Sequence, residues 1–413
     1  GDAPIVPPLP DWHTESQDDN DDDRSCVRRS GNRKHESNSN DSGGGGNRKR
    51  RKELHIKNPV FMEGIPGVTP VLDQPRLKDI QTTVQLMCNW RDGGFPGCQP
   101  VSMDLSNISY LQKKPYKVSW KADGTRYMMF IRAEREVYFL DRDNSVFEVE
   151  GLTFPHRKIP QNHLCDTLID GEMVIDKHEG LDIPRYLAYD IIKCDGIDVA
   201  NMPFGMRLKY IEVDVVGPRI KALTEGRIFK EKEPFSVRLK TFWPVEKANS
   251  LLGEKFSKQL SHEPDGLIFQ PAIDGYKTGQ CKEVLKWKPS THNSVDFRLK
   301  ITKESGEGIL SKKIGCLYVG GLDRPFAQMN KVSKSLRELD NKIIECKYEN
   351  NSWVFMRERT DKSFPNSFST AQSVCNTIKN PVTVEYLLTF IDQYRFRDDD
   401  ERSMPPPKHI PRR

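Results

Sequence analysis

One lysine stands at the head of a short segment of charged and small residues, Lys121-Ala-Asp-Gly-Thr-Arg126. Residues 116–120 alternate in a pattern typical of a β-strand, so Lys121 would project from the face opposite the aromatic side chains. A lysine amine is a nucleophile only when deprotonated, and burial or nearby cations lower its pKa from the usual value of about 10.4. Gly124 allows a tight turn that brings Arg126 back within reach of the same ligand. The pattern predicts a nucleophilic lysine, with an ordinary strand, turn and surface lysine as the alternative.

Further charged residues lie at alternate positions in other candidate strands. Asp170 and Glu172 would share one face, where carboxylates can accept hydrogen bonds from ribose hydroxyls or bind a metal ion. Lys286 and Lys288 would also share a face, and two ammonium groups there suit the oxygens of a reacting phosphate. Asp265 is a candidate metal ligand or electrostatic partner of the lysine nucleophile. Taken singly, these residues are more typical of a turn or a solvated strand face.

The elements that must position these residues are mostly short strands. Alternating and apolar runs predict strands at 116–120, 137–140, 168–175, 185–192, 266–270 and 284–288. Segments 201–214 and 245–260 are expected to be helical. After residue 289, strands at 295–301, 314–319, 343–348 and 353–357 suit a small β-barrel. The apolar residues of 384–394 fall on one face of a helix.

Composition excludes several classes of protein. Among 413 residues, no run of 18 apolar residues is present, and we expect no membrane association. Nine cysteines without a CxxC pair argue against a zinc site and a secreted disulfide framework, and favour a reducing compartment. The net charge of +5 is too small to indicate nucleic-acid binding by itself. The acidic and glycine-rich residues 1–50 are expected to be disordered, and the basic run 48–52 suits nuclear import, RNA contact or a solvated linker.

The K-x-D-G-x-R segment resembles motif I of the covalent nucleotidyltransferases, the superfamily of mRNA capping enzymes and polynucleotide ligases. Segments resembling its other motifs follow in the family's order, at 139–142, 168–172, 185–190, 264–269, 284–289 and 353–362. The flanks are similar to animal-type bifunctional capping enzymes, but this sequence has no H-C-x5-R phosphatase loop. We therefore expect either a fragment or a guanylyltransferase-only form.

The resemblance implies an α+β fold, with a ligase-like nucleotidyltransferase domain of antiparallel sheets and a C-terminal OB-fold β-barrel. The expected organisation is a disordered linker (1–54), the nucleotidyltransferase domain (55–290), the barrel (291–370), a helical segment (371–396) and a disordered tail (397–413). The implied reaction has two steps: the enzyme takes GMP from GTP onto Lys121, and then transfers it to the 5′-diphosphate end of RNA.

The resemblance also implies roles for individual nucleotide-binding residues. Glu172, with Arg126, would hold the ribose, and Tyr189 would stack on the purine. Lys240 would donate a hydrogen bond to guanine O6, where adenine carries a donor instead, and so favour GTP over ATP. Arg142 is a further expected GTP-binding residue, in the second motif.

The phosphates are assigned to both predicted domains. Lys286 and Lys288 would act at the reacting phosphate, together with Asp265. The segment containing Arg359, Asp361 and Lys362 would bind the β- and γ-phosphates when the two domains close. Mg²⁺ or Mn²⁺ is implied, and the candidate ligands are the carboxylates at 265 and 172.

Two alternatives to guanylyl transfer remain open. An ATP-dependent polynucleotide ligase shares motif I, although the R-x-R-x-D-K-S-F-P-N segment at 357–366 and the linker argue against it. A non-catalytic scaffold would bind the phosphorylated tail of RNA polymerase II, and capping enzymes of this type dock there while remaining active. The expected partners are GTP, 5′-diphosphate RNA and that tail, and the expected location is the nucleus.

Overall fold

The computed structural model describes residues 58–308, 310–360, 362 and 364–398. The expected disordered linker and most of the expected tail lie outside these residues, as does the predicted site residue Asp361. Among the described residues, no helix combines the length and apolar character needed to cross a membrane.

Short strands dominate the described chain. In chain order they are β1 (Val68–Pro70), β2 (Cys98–Ser102), β3 (Tyr116–Ala122), β4 (Thr125–Ala133), β5 (Glu136–Leu140), β6 (Val146–Val149), β7 (Thr167–His178), β8 (Leu181–Cys194), β9 (Ile197–Asp198), β10 (Ser236–Leu239), β11 (Trp243–Pro244), β12 (Pro264–Pro271), β13 (Gly279–Trp287), β14 (Ser294–Glu304), β15 (Lys312–Tyr318), β16 (Ala327–Met329), β17 (Ile343–Glu349) and β18 (Ser352–Glu358). Each strand predicted from the sequence falls on one of these.

Helices occur between the sheets and at the end of the described chain. They are α1 (Arg76–Met87), α2 (Tyr110–Lys113), α3 (Phe204–Tyr210), α4 (Gly217–Thr224), α5 (Ala248–Leu251), α6 (Glu254–Gln259), α7 (Lys334–Arg337), α8 (Phe368–Lys379) and α9 (Val384–Tyr394). A π-helical segment, Ile211–Val216, joins α3 to α4, so the segment predicted as helix at 201–214 continues to residue 224 with one wider turn.

Two sheets build the larger domain. One has the order β1-β6-β5-β4-β7-β8-β10, with β9 pairing to β8, and the other has the order β11-β3-β12-β13-β2. Most pairs are antiparallel, but β8–β10 and β2–β13 are parallel. The long β7–β8 hairpin turns through Glu179 and Gly180, which both have positive φ as a type I′ turn requires. Residues from this hairpin and from β3 and β13 face the same cleft between the sheets.

The third sheet forms the smaller domain and is antiparallel throughout, in the order β16-β15-β14-β17-β18. Cα atoms of its two edge strands lie within 8 Å of each other, so the sheet curls toward a barrel. Helix α8 buries Ala371 and Cys375 in the barrel core.

The chain then returns to the larger domain. Helix α9 buries Leu387 and Ile391 in a core shared with Leu111 and Phe269. The Trp287 indole N–H, at the end of β13, donates a 2.8 Å hydrogen bond to the carbonyl oxygen of Val382, just before α9. The segments that enter and leave the smaller domain are therefore joined at one point.

Candidate active site

The cleft between the two domains contains a cavity of about 520 Å³. Every predicted site residue that the structure describes lines it. They are Lys121, Arg126, Arg142, Glu172, Tyr189, Lys240, Asp265, Lys286, Lys288, Arg359 and Lys362. The larger domain contributes the first nine to one wall, and the barrel contributes the last two to the other.

Lys121 lies within β3, one position before its end, and not in the turn that follows. Its Nζ lies 3.3 Å from Asp265 Oδ2, and Lys288 Nζ lies 3.0 Å from the same oxygen. Burial and the neighbouring Lys288 lower the pKa of Lys121, while Asp265 opposes them. Burial acts to raise the pKa of Asp265, but the two lysines outweigh it and the pKa is lowered. The geometry therefore favours an ionised Asp265 beside a lysine that loses its proton more easily than usual.

Lys286 faces the same cavity from β13, where it is opposite Ile268 of the neighbouring strand β12. Burial, together with the cations Arg142, Lys121 and Lys288, lowers its pKa to about 7. Three lysines and one arginine thus converge with Asp265 as the nearest counter-charge. Such a cluster is poorly stable when empty and suits polyanionic phosphate.

Arg126 returns to the cleft on β4, but a buried carboxylate occupies its guanidinium. Its Nε and Nη2 donate to the two oxygens of Asp170 at 3.0 and 2.5 Å. The hydroxyls of Tyr189 and Tyr276 donate to the same carboxylate at 3.1 and 2.6 Å. A charged hydrogen-bond network of this kind fixes its members. The expected ribose contact of Arg126 stays a prediction, and the structure adds a role for Arg126 in fixing Tyr189 through Asp170.

Position 124 requires glycine for a different reason from the tight turn that the sequence predicted. Gly124 has no positive φ; instead, a Cβ at this position would collide with the carbonyl oxygen of Met173 on β7. The close approach lets β4 pair with β7, and in that register Arg126 is opposite Glu172. Glu172 thus reaches the cavity beside Asp170, as the alternation predicted.

Lys240 follows β10 and is almost fully buried, with its ammonium near two aromatic rings. Its Nζ lies 5.1 Å from the ring centre of Trp120 and 6.0 Å from that of Tyr189. Burial lowers its pKa to about 8, Lys121 acts in the same direction, and Glu172 opposes both. A buried donor beside the predicted stacking ring is suited to a purine carbonyl.

On the barrel wall, the arginine side chains form ion pairs with carboxylates. Arg359 Nη1 lies 3.1 Å from Glu345 and 3.5 Å from Asp296. Arg357 donates to Glu345 at 2.6 Å. None of these carboxylates, nor Arg357, was predicted from the sequence as a site residue.

Lys362 faces acidic residues across the cleft. Burial, with neighbouring Asp143, raises the pKa of Asp141 to about 6, and Lys362 acts in the opposite direction from the barrel wall. The two walls are therefore close enough to interact in this conformation.

The cavity offers carboxylates as candidate ligands for a metal ion. Within the described residues, no three His, Cys, Asp or Glu side chains are grouped as an ion would require. Mg²⁺, however, is commonly bound by one or two carboxylates together with substrate phosphates. Glu172 and Asp265 both line the cavity and fit that smaller requirement.

Two family models match adjacent parts of the chain. The model for "mRNA capping enzyme, catalytic domain" matches residues 62–290, and that for "mRNA capping enzyme, C-terminal domain" matches residues 292–388. A solved structure titled "mycobacterial DNA ligase D complexed with ATP and MES" shares 14% identity at a TM-score of 0.35, over 65% of this chain and 95% of its own. That likeness is too low to support an argument.

Curated relatives are much more similar. An mRNA-capping enzyme of Danio rerio is 53% identical over 98% of this chain, and one of Mus musculus is 52% identical over 84%. One of Caenorhabditis elegans is 43% identical over 81% of this chain. The matches span 68%, 60% and 55% of these three relatives, so part of each relative has no counterpart here.

Proposed function

The chain belongs to the mRNA capping enzyme family, and from that premise we propose that it transfers GMP from GTP, through a covalent bond to Lys121, to the 5′-diphosphate end of RNA. The matches to family models and relatives confirm three predictions: the capping enzyme family, the α+β fold class and the guanylyltransferase class of enzyme. One observation carries the covalent step: the half-buried Lys121 amine lies in the cleft beside Asp265, which holds it in place, and near Lys288, which together with burial favours loss of its proton.

In the first step, the lone pair of Lys121 Nζ attacks the α-phosphorus of GTP. The nitrogen–phosphorus bond forms while the bond from the α-phosphorus to the bridging oxygen breaks, and pyrophosphate leaves with that electron pair. Nζ releases one proton to solvent as the phosphoramidate forms. Asp265 holds Nζ in position from 3.3 Å. Lys286 and Lys288 stabilise the charge that builds on the phosphate oxygens, and phosphoryl transfer depends mainly on such positioning and electrostatics.

In the second step, a terminal oxygen of the RNA diphosphate attacks the same phosphorus. The nitrogen–phosphorus bond breaks, its electron pair returns to Nζ, and the amine regains a proton. Lys286 and Lys288 serve this step too, because the α-phosphate is present in both. Arg359 and Lys362 bind the β- and γ-phosphates and Asp361 helps to orient the pyrophosphate leaving group, so all three belong to the first step. For Arg359 to make this contact, the GTP phosphates must replace Glu345 and Asp296 as its ion-pair partners.

A divalent cation, Mg²⁺ or Mn²⁺, belongs to the same proposal. It would be held by the triphosphate with Glu172 and Asp265, and its chemistry there is to neutralise the leaving pyrophosphate. The proposal also includes action in the nucleus and docking on the phosphorylated tail of RNA polymerase II. Binding of phosphorylated but not unphosphorylated tail peptides tests that docking.

The reaction is tested by incubating the chain with α-labelled GTP or ATP and a divalent cation, followed by a denaturing gel. We expect label to stay on the protein with GTP, as an acid-labile and alkali-resistant phosphoramidate, and to pass to 5′-diphosphate RNA when it is added. Preferential labelling by ATP would replace the proposal with the polynucleotide ligase alternative. An unlabelled protein would leave only the scaffold.

A further inference from the structure

Lys240 has an unusual environment for a buried ammonium group. Within the described part of the chain, no carboxylate lies within ion-pair distance of its Nζ, and its nearest recorded partners are the faces of Trp120 and Tyr189. A cation over an indole face is attracted by the ring quadrupole, and the attraction is stronger when the pair is removed from water. The position of the indole therefore determines where the ammonium can lie.

The indole of Trp120 is itself fixed by a chain of buried hydrogen bonds. Its Nε1–H donates to His262 Nε2 at 2.9 Å, and His262 Nδ1 lies 2.7 Å from Asp176 Oδ1. Arg185 Nη1 lies 2.8 Å from the other oxygen of Asp176. Because Nε2 must accept, the imidazole carries its proton on Nδ1 and donates it to Asp176. Every group in this series of hydrogen bonds thus has a defined role as donor or acceptor.

This chain of contacts crosses between the two sheets of the larger domain. Trp120 is next to the nucleophile on β3, whereas Asp176 and Arg185 lie on the β7–β8 hairpin that also carries Glu172 and Tyr189. The indole also packs against Trp243 at 6.0 Å and Phe256 at 5.7 Å between ring centres. Packing alone would fill this space, whereas the polar chain also sets the orientation of the ring plane.

We propose that Trp120 is a positioning residue for purine recognition: its indole is the platform that holds Lys240 toward the base, and His262 with Asp176 and Arg185 keeps that platform in one orientation. The inference rests on the proposed function, because it gives Lys240 the purine-reading role. It adds a group that touches no nucleotide and acts through Lys240.

The test compares GTP with 2-aminopurine riboside triphosphate, which lacks O6, in covalent labelling of the otherwise native full chain. Because 2-aminopurine also lacks the N1–H of guanine, the ratio of their loading efficiencies reports both groups, and the change of that ratio between variants reports the contact made by Lys240. Trp120→Leu should lower the ratio about threefold to tenfold, the loss of one desolvated cation–π contact. The matched control is Trp243→Leu, which removes a ring from the same aromatic cluster but none recorded beside Lys240, and should leave the ratio unchanged.

A double variant shows whether Trp120 acts through Lys240. Lys240→Met should lower the ratio, and adding Trp120→Leu to Lys240→Met should lower it no further. His262→Gln retains a side-chain acceptor for the indole and should keep most of the ratio, whereas His262→Leu should lower it. These two variants, with Trp120→Phe, carry the test if Trp120→Leu does not fold.

The outcomes separate this inference from the proposed function. Suppose that the folded Trp120 variants and His262→Leu keep the native loading ratio, while Lys240→Met lowers it. That result overturns only the platform role of Trp120 and leaves base reading by Lys240 in place. Further loss in the double variant also overturns it, since Trp120 would then act independently. A native ratio in Lys240→Met removes both base reading by Lys240 and the platform. Absence of GMP on the native protein instead defeats the proposed function.

Discussion

The two walls of the cleft hold their cations in different ways. On the wall of the larger domain, Lys121 and Lys288 share the single carboxylate of Asp265, and Lys286 lies among other cations with a pKa lowered to about 7. On the barrel wall, Arg359 already lies between two carboxylates. The first wall has positive charge in excess of its counter-charge, whereas the second must exchange protein partners for phosphate.

This difference bears on the order of events in the reaction. The larger domain positions its lysines without help from the barrel, so the proposed α-phosphate site exists before the nucleotide arrives. In the same proposal, the barrel wall would bind the β- and γ-phosphates only by releasing Arg359 from Glu345. The following predictions separate the two walls.

The largest effect is expected at Lys121. Changing Lys121 to Ala removes the nucleophile, and changing it to Arg replaces the amine with a guanidinium that stays protonated, so both should abolish labelling by GTP. Lys117→Ala is the matched control, because Lys117 lies on the same strand but outside the cavity, and it should label normally. Label that persists on either Lys121 variant would place the covalent bond elsewhere.

Variants of the barrel wall should divide the two half-reactions. Arg359→Ala and Lys362→Ala should slow GMP loading by roughly tenfold to a hundredfold, because each removes a charged contact to the leaving group. GMP transfer from a pre-formed Lys–GMP enzyme to diphosphate RNA should change less than about twofold. Single-turnover measurements of each step give both values.

The control for the barrel variants is Lys347→Ala, which removes a barrel lysine paired with Glu349 outside the cavity. Lys286→Ala provides the contrast and should slow both steps. If transfer falls as far as loading in the Lys362 variant, then the barrel wall also acts on the α-phosphate and the distinction between the walls is wrong.

A smaller effect is expected for choice of base. Lys240→Met should narrow the preference for GTP over ATP by about tenfold, because a buried donor left opposite the adenine amino group costs roughly 1–3 kcal/mol in the native enzyme. Tyr189→Ala should weaken GTP and ITP alike, since stacking does not distinguish them. Nucleotide competition during labelling measures both, and an unchanged ratio in Lys240→Met would assign base reading to another group.

The smallest expected effect is a proton taken up with the nucleotide. The pKa of Lys286 is about 7 in the empty cleft, so the amine is increasingly neutral above that pH. Phosphate favours the charged form and raises this pKa, so affinity should fall as pH rises from 7, by no more than about tenfold per unit.

Calorimetry in buffers of different ionisation enthalpy, with a non-hydrolysable α,β-methylene GTP analogue, measures the uptake directly. Lys286→Met should abolish most of the uptake, and Lys282→Met, an exposed lysine on the same strand, should not. Equal uptake in the Lys286 variant and the native protein would show that another group of the cleft takes the proton.

Alternation in the sequence predicted strands that direct charged groups into the cleft. These strands carry or adjoin Lys121, Glu172, Tyr189, Asp265, Lys286 and Lys288. The pattern at 116–120 correctly gave Lys121 and Trp120 opposite faces of β3. Helix α1 and the strands β1, β2, β4, β6, β9, β10, β11 and β16 were not predicted. All of these strands except β4 have five residues or fewer and show little period, whereas β4 buries six consecutive residues and therefore does not alternate. Helix α1 buries only Ile80 and Val84. The π-helical turn likewise has no simple repeat.

The site was predicted as a set of residues but not as a network. The motifs name residues lining the cavity, but Tyr276 hydrogen-bonds to Asp170 from 106 positions away. Asp296 and Glu345 likewise carry no local pattern that distinguishes them from other charged strand residues, and only the barrel register brings them to Arg359. Such pairings arise from tertiary contacts, which single-sequence patterns do not record.

The hydrogen bond from Trp287 to Val382 has a mechanical consequence. Two chain crossings joined at one point fix the pivot of any domain motion at that point. Trp287 immediately precedes Lys288, so the pivot lies beside the proposed site of the reacting phosphate. Opening the cleft should therefore displace the barrel residues most, while the lysines around the nucleophile move little.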